Sequence, residues 1–269
     1  MTASAPLLDI RGAAKSFGGV QALGGVDLQL GSGEVLGVIG PNGSGKTTLF
    51  NLITGLVRAN GGTAQLAGSS ANLLDLRPWD ISALGIARTF QNIRLALGQS
   101  VLQNVLVGAY RQNRTSWWQV LLSPRAVAAR DRQAVEKAMD ALRFVAPALA
   151  AAPERIVGEL PYADRRRIEL ARAVVGDPRI MLIDEPAAGM NPHETSEIAD
   201  DILRIAARGM SILVIEHKMK FIATIASRIA VLNFGRKIAE GSYEQIRTDP
   251  NVLASYLGRK GDHLAAAVR

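Results

Sequence analysis

The sequence predicts an α/β fold in which a parallel sheet forms the core, a small antiparallel β subdomain lies beside it and an α-helical subdomain is inserted into it. Three observations carry this. The first part alternates apolar and polar residues in short strand patterns, strand patterns vanish between about Leu95 and Val175, and strands then alternate with helices toward the end.

Leu7-Leu8-Asp9-Ile10-Arg11 and Val26-Asp27-Leu28-Gln29-Leu30 read as antiparallel strands, and Gly61-Gly62 precedes another short strand pattern. Glu34-Val35-Leu36-Gly37-Val38-Ile39 reads as a buried strand that leads to a loop at a sheet edge. After that loop Leu49, Leu52, Ile53 and Leu56 recur at helical spacing, with Gly55 near the helix end. In the helical stretch, Val135, Ala138, Met139, Leu142 and Val145 mark one face of a helix that Pro147 terminates. Ile180 to Ile183 is an apolar strand, Ile198, Ile202 and Ile205 form a helix face, and Ser211 to Ile215 is a further strand. Ser242-Tyr243-Glu244-Gln245 suits a capping box opening a last helix to Leu257, with Gly258 as its stop and a basic polar tail. We expect one domain over 1–269, a helical subdomain over about 95–175, and a terminal helix and tail over 242–269.

With 269 residues and 48% hydrophobic content, the chain can bury a sizeable core. No apolar run approaches the ~20 residues needed to cross a bilayer, and Met1-Thr2-Ala3-Ser4-Ala5-Pro6 lacks signal-peptide character, so a cytoplasmic location is expected. The absence of cysteine excludes disulfides, thiol catalysis and cysteine-ligated metal, and three scattered histidines do not form a metal cluster. The net charge of +7 is spread along the chain without interleaved aromatics, so no nucleic acid is expected and a membrane-side partner is favoured. The pair Trp117-Trp118, flanked by Arg111, Arg114 and Arg125, fits either a core role or a partner-facing one.

Gly40-Pro41-Asn42-Gly43-Ser44-Gly45-Lys46-Thr47-Thr48 fits G-x-x-x-x-G-K-[ST], a phosphate loop placed between strand and helix. Glycines let backbone N–H groups wrap phosphates and the helix start adds its positive end. Lys46 reaches the β- and γ-phosphates and Thr47 offers a hydroxyl to Mg²⁺. Downstream, Ile180-Met181-Leu182-Ile183-Asp184-Glu185 is a hydrophobic strand ending in two acids. Asp184 is the candidate magnesium-side carboxylate and Glu185 the candidate base for the attacking water, while Lys46 and Mg²⁺ absorb transition-state charge.

Arg88-Thr89-Phe90-Gln91-Asn92, the Arg167-to-Ala173 helix, Asp184-Glu185-Pro186 and Glu216-His217, in this order after the phosphate loop, resemble an ATP-binding cassette (ABC) ATPase. Ala187-Ala188-Gly189-Met190-Asn191-Pro192, Gly235-to-Gly241 and Tyr256-Leu257-Gly258 further resemble the branched-chain amino-acid importer subgroup. The resemblance implies the ABC ATPase variant of the P-loop NTPase fold, with ATP and Mg²⁺ as ligands. It assigns Phe17 to stacking on adenine, Gln91 to the loop that senses Mg²⁺ and the γ-phosphate, and His217 to a polar contact with that phosphate.

One segment departs from the resemblance. Where the family has L-S-G-G-Q, or L-S-Y-G-Q in the subgroup, this chain has Leu160-Pro161-Tyr162-Ala163-Asp164. In the family this signature faces ATP held by the partner subunit. Pro161 brings neither hydroxyl nor amide hydrogen, Ala163 adds a methyl where glycine allowed close approach, and Asp164 adds an anion. At ~6 Å and an effective dielectric of ~20 that anion costs roughly 3 kcal/mol against one phosphate charge. Arg165, Arg166 and Arg167 are candidates to offset it. Alternatively, Pro161 simply starts the helix as a first-position proline and other groups hold the partner phosphate.

The resemblance therefore implies the ATP-hydrolysing motor of an importer on the cytoplasmic face of the membrane. Its implied partners are a second ATPase with an intact signature, membrane permease subunits and, indirectly, a periplasmic or extracellular solute-binding protein. Two alternatives stand beside it: a non-transport cassette ATPase acting on nucleic acid, and a regulatory ATP-binding subunit with little turnover.

Overall fold

The computed structural model describes residues 5–109 and 124–257. Trp117, Trp118, Gly258 and the tail lie outside the described residues. Strand β1 (Leu8–Phe17) turns through Gly18-Gly19 into β2 (Val20–Leu30), with Phe17 opposite Val20. After β3 (Val35–Ile39), strand β4 (Gly61–Leu66) pairs with the other side of β1, giving an antiparallel sheet in the order β2-β1-β4. Both glycines of the Gly61-Gly62 pair thus belong to the strand they were expected to precede.

The second sheet holds β3 with β5 (Ile86–Arg88), β6 (Ile180–Asp184), β7 (Ser211–Ile215), β8 (Arg228–Asn233) and β9 (Arg236–Gly241). Its order is β5-β6-β7-β3-β8-β9, parallel throughout except for the antiparallel pair β8 and β9. Strand β3 lies inside the sheet, so the edge to which it brings the phosphate loop is the carboxyl end of the strands. Every residue of β3, β6 and β7 is buried, because both faces of a parallel sheet are covered.

The twofold side-chain period divides these strands between two cores. Leu36, Val38, Leu182, Leu213 and Ile215 pack toward the antiparallel sheet and toward helix α1 (Lys46–Ile53), whose Leu49, Phe50, Leu52 and Ile53 are buried. Val35, Ile39, Met181, Ile183, Ile212 and Val214 face the helices on the opposite side of the sheet. At roughly 1.5–3 kcal/mol for each fully buried aliphatic side chain, these two layers supply the main force that holds the strand ends together.

The other helices are α2 (Pro78–Ala83), α3 (Val101–Ala109), α4 (Pro124–Val145), α5 (Pro147–Ala150), α6 (Tyr162–Val174), α7 (Pro192–Ala207), α8 (Met219–Ile225), α9 (Tyr243–Thr248) and α10 (Pro250–Leu257). Between β5 and β6 the regular elements among the described residues are all helical. Helix α4 ends before Pro147, which instead opens α5 at a first-turn position. Its buried face is Ala134, Ala138, Ala141, Leu142 and Val145, whereas Val135 is 39% exposed. The buried stripe rotates toward the small alanines because α4 packs closely on α3 and α6, leaving Val135 at its margin.

The capping box at Ser242 and Gln245 forms, but the expected single helix to Leu257 is two helices. Pro250 holds Asp249 in an extended conformation, and Asp249 then accepts hydrogen bonds from the N–H groups of Asn251 and Val252 at 2.7 and 3.1 Å.

Candidate functional site at the carboxyl ends of the parallel strands

Sheet order explains how residues far apart in the chain meet. Gln91 follows β5, Asp184 ends β6 and Glu185 follows it, His217 follows β7, and the phosphate loop follows β3. These four strands are neighbours in that order, so their carboxyl ends form one line of loops.

Within the phosphate loop the Lys46 ammonium is buried. It donates to Gly40 O at 2.7 Å, Pro41 O at 3.0 Å and Ser44 Oγ at 3.4 Å. Burial lowers its pKa, partly opposed by the carboxylates of Glu185 and Asp184. Gly45 has a φ of 104°, and a Cβ there would meet Ala22 O at 2.6 Å and Leu23 Cδ2 at 2.7 Å, so only glycine lets the loop sit against β2. The turn between β8 and β9 braces the loop from the other side: Gly235 N–H donates to Ser44 O at 3.0 Å, and Gly24 N–H to Gly235 O at 2.8 Å. Asn42, Gly43 and Thr47 are exposed, while Pro41 and Thr48 are half-buried. Phe17, 48% exposed with the Lys15 ammonium 5.0 Å from its ring centre, ends the strand paired to β2 and is available for stacking.

Asp184 is almost fully buried, and its Oδ2 accepts from Arg88 Nη2 at 2.8 Å. Arg88 also donates to Asn51 Oδ1 at 2.8 Å and Thr54 Oγ1 at 3.1 Å, which ties the acid to the end of α1. The next residue, Glu185, has a φ of 45°, unusual for a residue with a side chain, and its carboxylate reaches Gln91. Gln91 Nε2 donates to Glu185 Oε2 at 2.8 Å, and His217 Nδ1 lies 3.9 Å from the same oxygen. The structure therefore brings Gln91, Glu185 and His217 together.

Arg88 and Glu216, which in the sequence stand within Arg88-Thr89-Phe90-Gln91-Asn92 and Glu216-His217, also belong to this site. Glu216 is fully buried. It accepts from the N–H groups of Ala187, His217 and Lys218 at 3.3, 2.9 and 3.2 Å, and its Oε1 lies 3.2 Å from His217 Nδ1. Lys218 Nζ donates to Ala187 O at 2.7 Å, so both neighbours of His217 grip the turn that follows Glu185. The Glu216-His217 pair was visible in the sequence, but the burial of Glu216 and its backbone partners were not.

The signature segment corrects several expectations. Pro161 is the residue before helix α6, with an extended ψ of 157°, and so stands at the N-cap position, without a side-chain capping bond, instead of the first helical position. Ala163 is 6% exposed and its methyl belongs to the core with Leu160 and Val157, while Tyr162 is 42% exposed. Of the three arginines that were candidates to offset Asp164, Arg167 does meet it, while Arg165 and Arg166 are engaged elsewhere. Arg165 donates to Leu160 O and Gly158 O at 2.9 and 2.8 Å, and Arg166 is fully buried. Arg167 pairs with Glu197 and Asp201 of α7 at 2.9 and 3.0 Å and reaches Asp164 at 3.3 Å.

Beside this site a groove of about 820 Å³ runs between the core and the helical region; Leu56, Phe90, Arg94, Val107, Glu169 and Arg172 are among its lining residues. Among the described residues no helix is long and apolar enough to cross a membrane, and no cluster of three or more His, Asp or Glu forms a metal site.

A lysine-bearing phosphate loop, aligned with two strand-end acids on a parallel sheet, defines a P-loop nucleotide hydrolase. Comparison with known proteins narrows this. The family model described as "ABC transporter" matches residues 23–188, and one described as "Branched-chain amino acid ATP-binding cassette transporter" matches residues 236–262. The chain is 38% identical to the high-affinity branched-chain amino acid transport ATP-binding protein BraF of Pseudomonas aeruginosa, over 95% of this chain and 99% of that protein. It is 39% identical, with the same coverage, to the corresponding LivG of Escherichia coli. The crystal structure of the ADP conformation of MJ1267, an ATP-binding cassette of an ABC transporter, is similar with a TM-score of 0.81 and 30% identity, covering 95% of this chain and all of that one. The chain belongs to the ABC transporter family. It has the ABC ATPase fold and is a transporter subunit that binds and hydrolyses ATP.

Proposed function

We propose that this chain is one of two ATPase subunits on the cytoplasmic face of an importer for branched-chain amino acids. The names of its relatives support the solute and do not favour the nucleic-acid alternative. The observation that carries the catalytic reading is the convergence of Gln91 and His217 on the Glu185 carboxylate beside the phosphate loop. With the proposed base already in place, turnover at this chain's own loop is favoured over a purely regulatory role.

Gly40 to Thr48 hold the triphosphate in this proposal, Phe17 stacks on adenine, Glu185 orients and deprotonates the attacking water, and His217 contacts the γ-phosphate. The residues present fit Mg²⁺: the Thr47 hydroxyl, the Gln91 amide oxygen and Asp184 Oδ1, the oxygen that Arg88 does not take, are hard oxygen donors. When bound there, Mg²⁺ supplies positive charge to the phosphate oxygens.

The altered signature argues for a partner ATPase with an intact one. The segment from Leu160 to Asp164 would face the partner's nucleotide with a proline, a buried methyl and an acid whose charge is met only by Arg167, itself shared with α7. Membrane permease subunits fit the groove between core and helices, where Phe90 adjoins Gln91. A solute-binding protein would act through those subunits. The helical stretch over about 95–175 serves in this scheme as the inserted subdomain that carries the signature, and 242–269 as the terminal helix and tail.

Purification of the native membrane complex through a tag on this chain tests the proposal. A second ATPase chain, permease subunits and ATP-dependent leucine, isoleucine or valine uptake after reconstitution are expected; a complex that moves another solute class overturns the substrate assignment.

A further inference from the structure

We infer that Arg166, acting with Glu169, is a positioning residue that straps Gln91 to helix α6 and through Gln91 sets the rate of hydrolysis at Glu185. The inference rests on the catalytic reading above and adds to it a specific pair of side chains outside the nucleotide-contacting set.

The pair is buried to 0% and 1% side-chain exposure, with Arg166 Nη1 at 2.6 Å from Glu169 Oε2. Beside longer contacts from Arg166 Nη2 to the Tyr162 hydroxyl at 3.3 Å and from Arg172 to Glu169 Oε1 at 3.8 Å, its hydrogen bonds converge on two backbone units. Arg166 Nη1 donates to Phe90 O at 2.8 Å and Nη2 to Gln91 O at 3.0 Å, while Glu169 Oε1 accepts from Phe90 N–H at 3.1 Å. One ion pair on α6 thus takes Phe90 N–H, Phe90 O and Gln91 O. The Gln91 side chain leaves this strap to end 2.8 Å from Glu185.

Stability alone is a poor account of the arrangement. A buried ion pair recovers little more than its desolvation cost and is often replaced by apolar residues without loss. Here Arg166 Nε is also buried without a hydrogen-bond partner, so the guanidinium is aimed at the two carbonyls while one of its own N–H groups goes unmet. Charge-assisted hydrogen bonds in a dry setting fix backbone position closely, and a displacement of ~1 Å in a group that orients a reactant costs on the order of a hundredfold in rate. Arg167, the next residue, provides an internal contrast. It too is ion-paired, to Glu197 and Asp201 of α7 and to Asp164, but it makes no hydrogen bond to Phe90 or Gln91.

The strap is tested by a double-mutant cycle on ATPase activity in the native complex, with nucleotide binding measured in parallel. Because Arg166→Met alone strands a buried carboxylate, the paired variant Arg166→Met/Glu169→Met is used. We expect its kcat to fall about tenfold or more with KM for ATP held within about twofold, and Gln91→Ala on that background to add less than about twofold. Arg166→Lys, which retains the charge but not the fork, should recover part of the loss. Arg167→Met serves as the contrast: its effect should multiply independently with that of Gln91→Ala. If the paired variant does not accumulate folded, the near-isosteric Glu169→Gln enters the same cycle and should show the same non-additivity in smaller measure. A folded variant with unchanged kcat, or independent effects of the pair and Gln91, overturns the inference. Loss of Lys46-dependent ATP binding by the unmodified chain would instead overturn the functional reading beneath it.

Discussion

Arg88 Nη2 donates to Asp184 Oδ2 at 2.8 Å, and the two side chains are only 7% and 5% exposed. An arginine from β5 therefore fixes which oxygen of the strand-end acid is taken inside the protein, and so how the other is presented. Replacing Arg88 by Met leaves a buried carboxylate without its cation. Such a loss costs roughly 3–5 kcal/mol, far above the effect of an exposed pair such as Arg143 with Asp140. Urea unfolding of Arg88→Met beside Arg143→Met checks this, with little change expected in the second.

Lys46 is charged and buried within a ring of loop acceptors, and its pKa is lowered chiefly by burial. A lowered lysine pKa means that the folded state holds the proton less tightly than the unfolded chain, so the buried charge opposes folding at neutral pH. Bound phosphates supply the countercharge. ATP at about one hundred times its Kd should stabilise the chain by about 2.7 kcal/mol, a Tm rise of roughly 5–10 °C. Lys46→Ala should abolish that rise, and an undiminished shift in a thermal titration would refute the assignment of the loop.

Glu185→Gln preserves the shape of the side chain that meets Gln91 and His217 while removing its basicity. Hydrolysis should fall by about 10²–10⁴-fold with ATP affinity nearly unchanged. Single-turnover hydrolysis and equilibrium nucleotide binding, measured on the same preparation, separate the two effects.

Restoring the signature as Pro161→Ser, Ala163→Gly and Asp164→Gln should raise the ATPase rate of the chain on its own. It should also cost about 1 kcal/mol of stability, because Ala163 fills a core position in the first turn of α6. Rate and urea midpoint both need measuring. Absence of any gain in rate would count against a self-association limited by the altered signature.

Burial pushes the Tyr256 phenol up to about 12, from an ordinary value of 10.0. The unfolded chain then loses this proton first, so stability is unaffected below about pH 10 and falls as pH rises toward 12, by roughly 2–3 kcal/mol in all. Tyr256→Phe should flatten that alkaline limb and, by removing a hydroxyl whose polar neighbour is the Gly40 backbone, should change stability at neutral pH by no more than about 1 kcal/mol. Urea midpoints at pH 8 and pH 11 test both statements.

The amino-acid sequence by itself determined the phosphate loop, the apolar strands that flank the site and the helical character of the middle of the chain. Each is a contiguous pattern whose physics is local: a glycine where φ is positive, an all-apolar run where both sheet faces are covered, a 3.6-residue period on a helix. The same local logic located the cap at Ser242 but missed the break at Pro250. Only the tertiary structure decided which charges face each other. Arg165, Arg166 and Arg167 are one letter three times over, yet they serve a loop carbonyl pair, the Gln91 backbone and the acids of α7. Gln91 meets Glu185 across 94 positions and Arg88 meets Asp184 across 96. Those meetings follow from the strand order β5-β6-β7-β3, set by how the two cores close over the sheet. The direction of a side chain depends on the packing of elements that no short stretch of sequence contains.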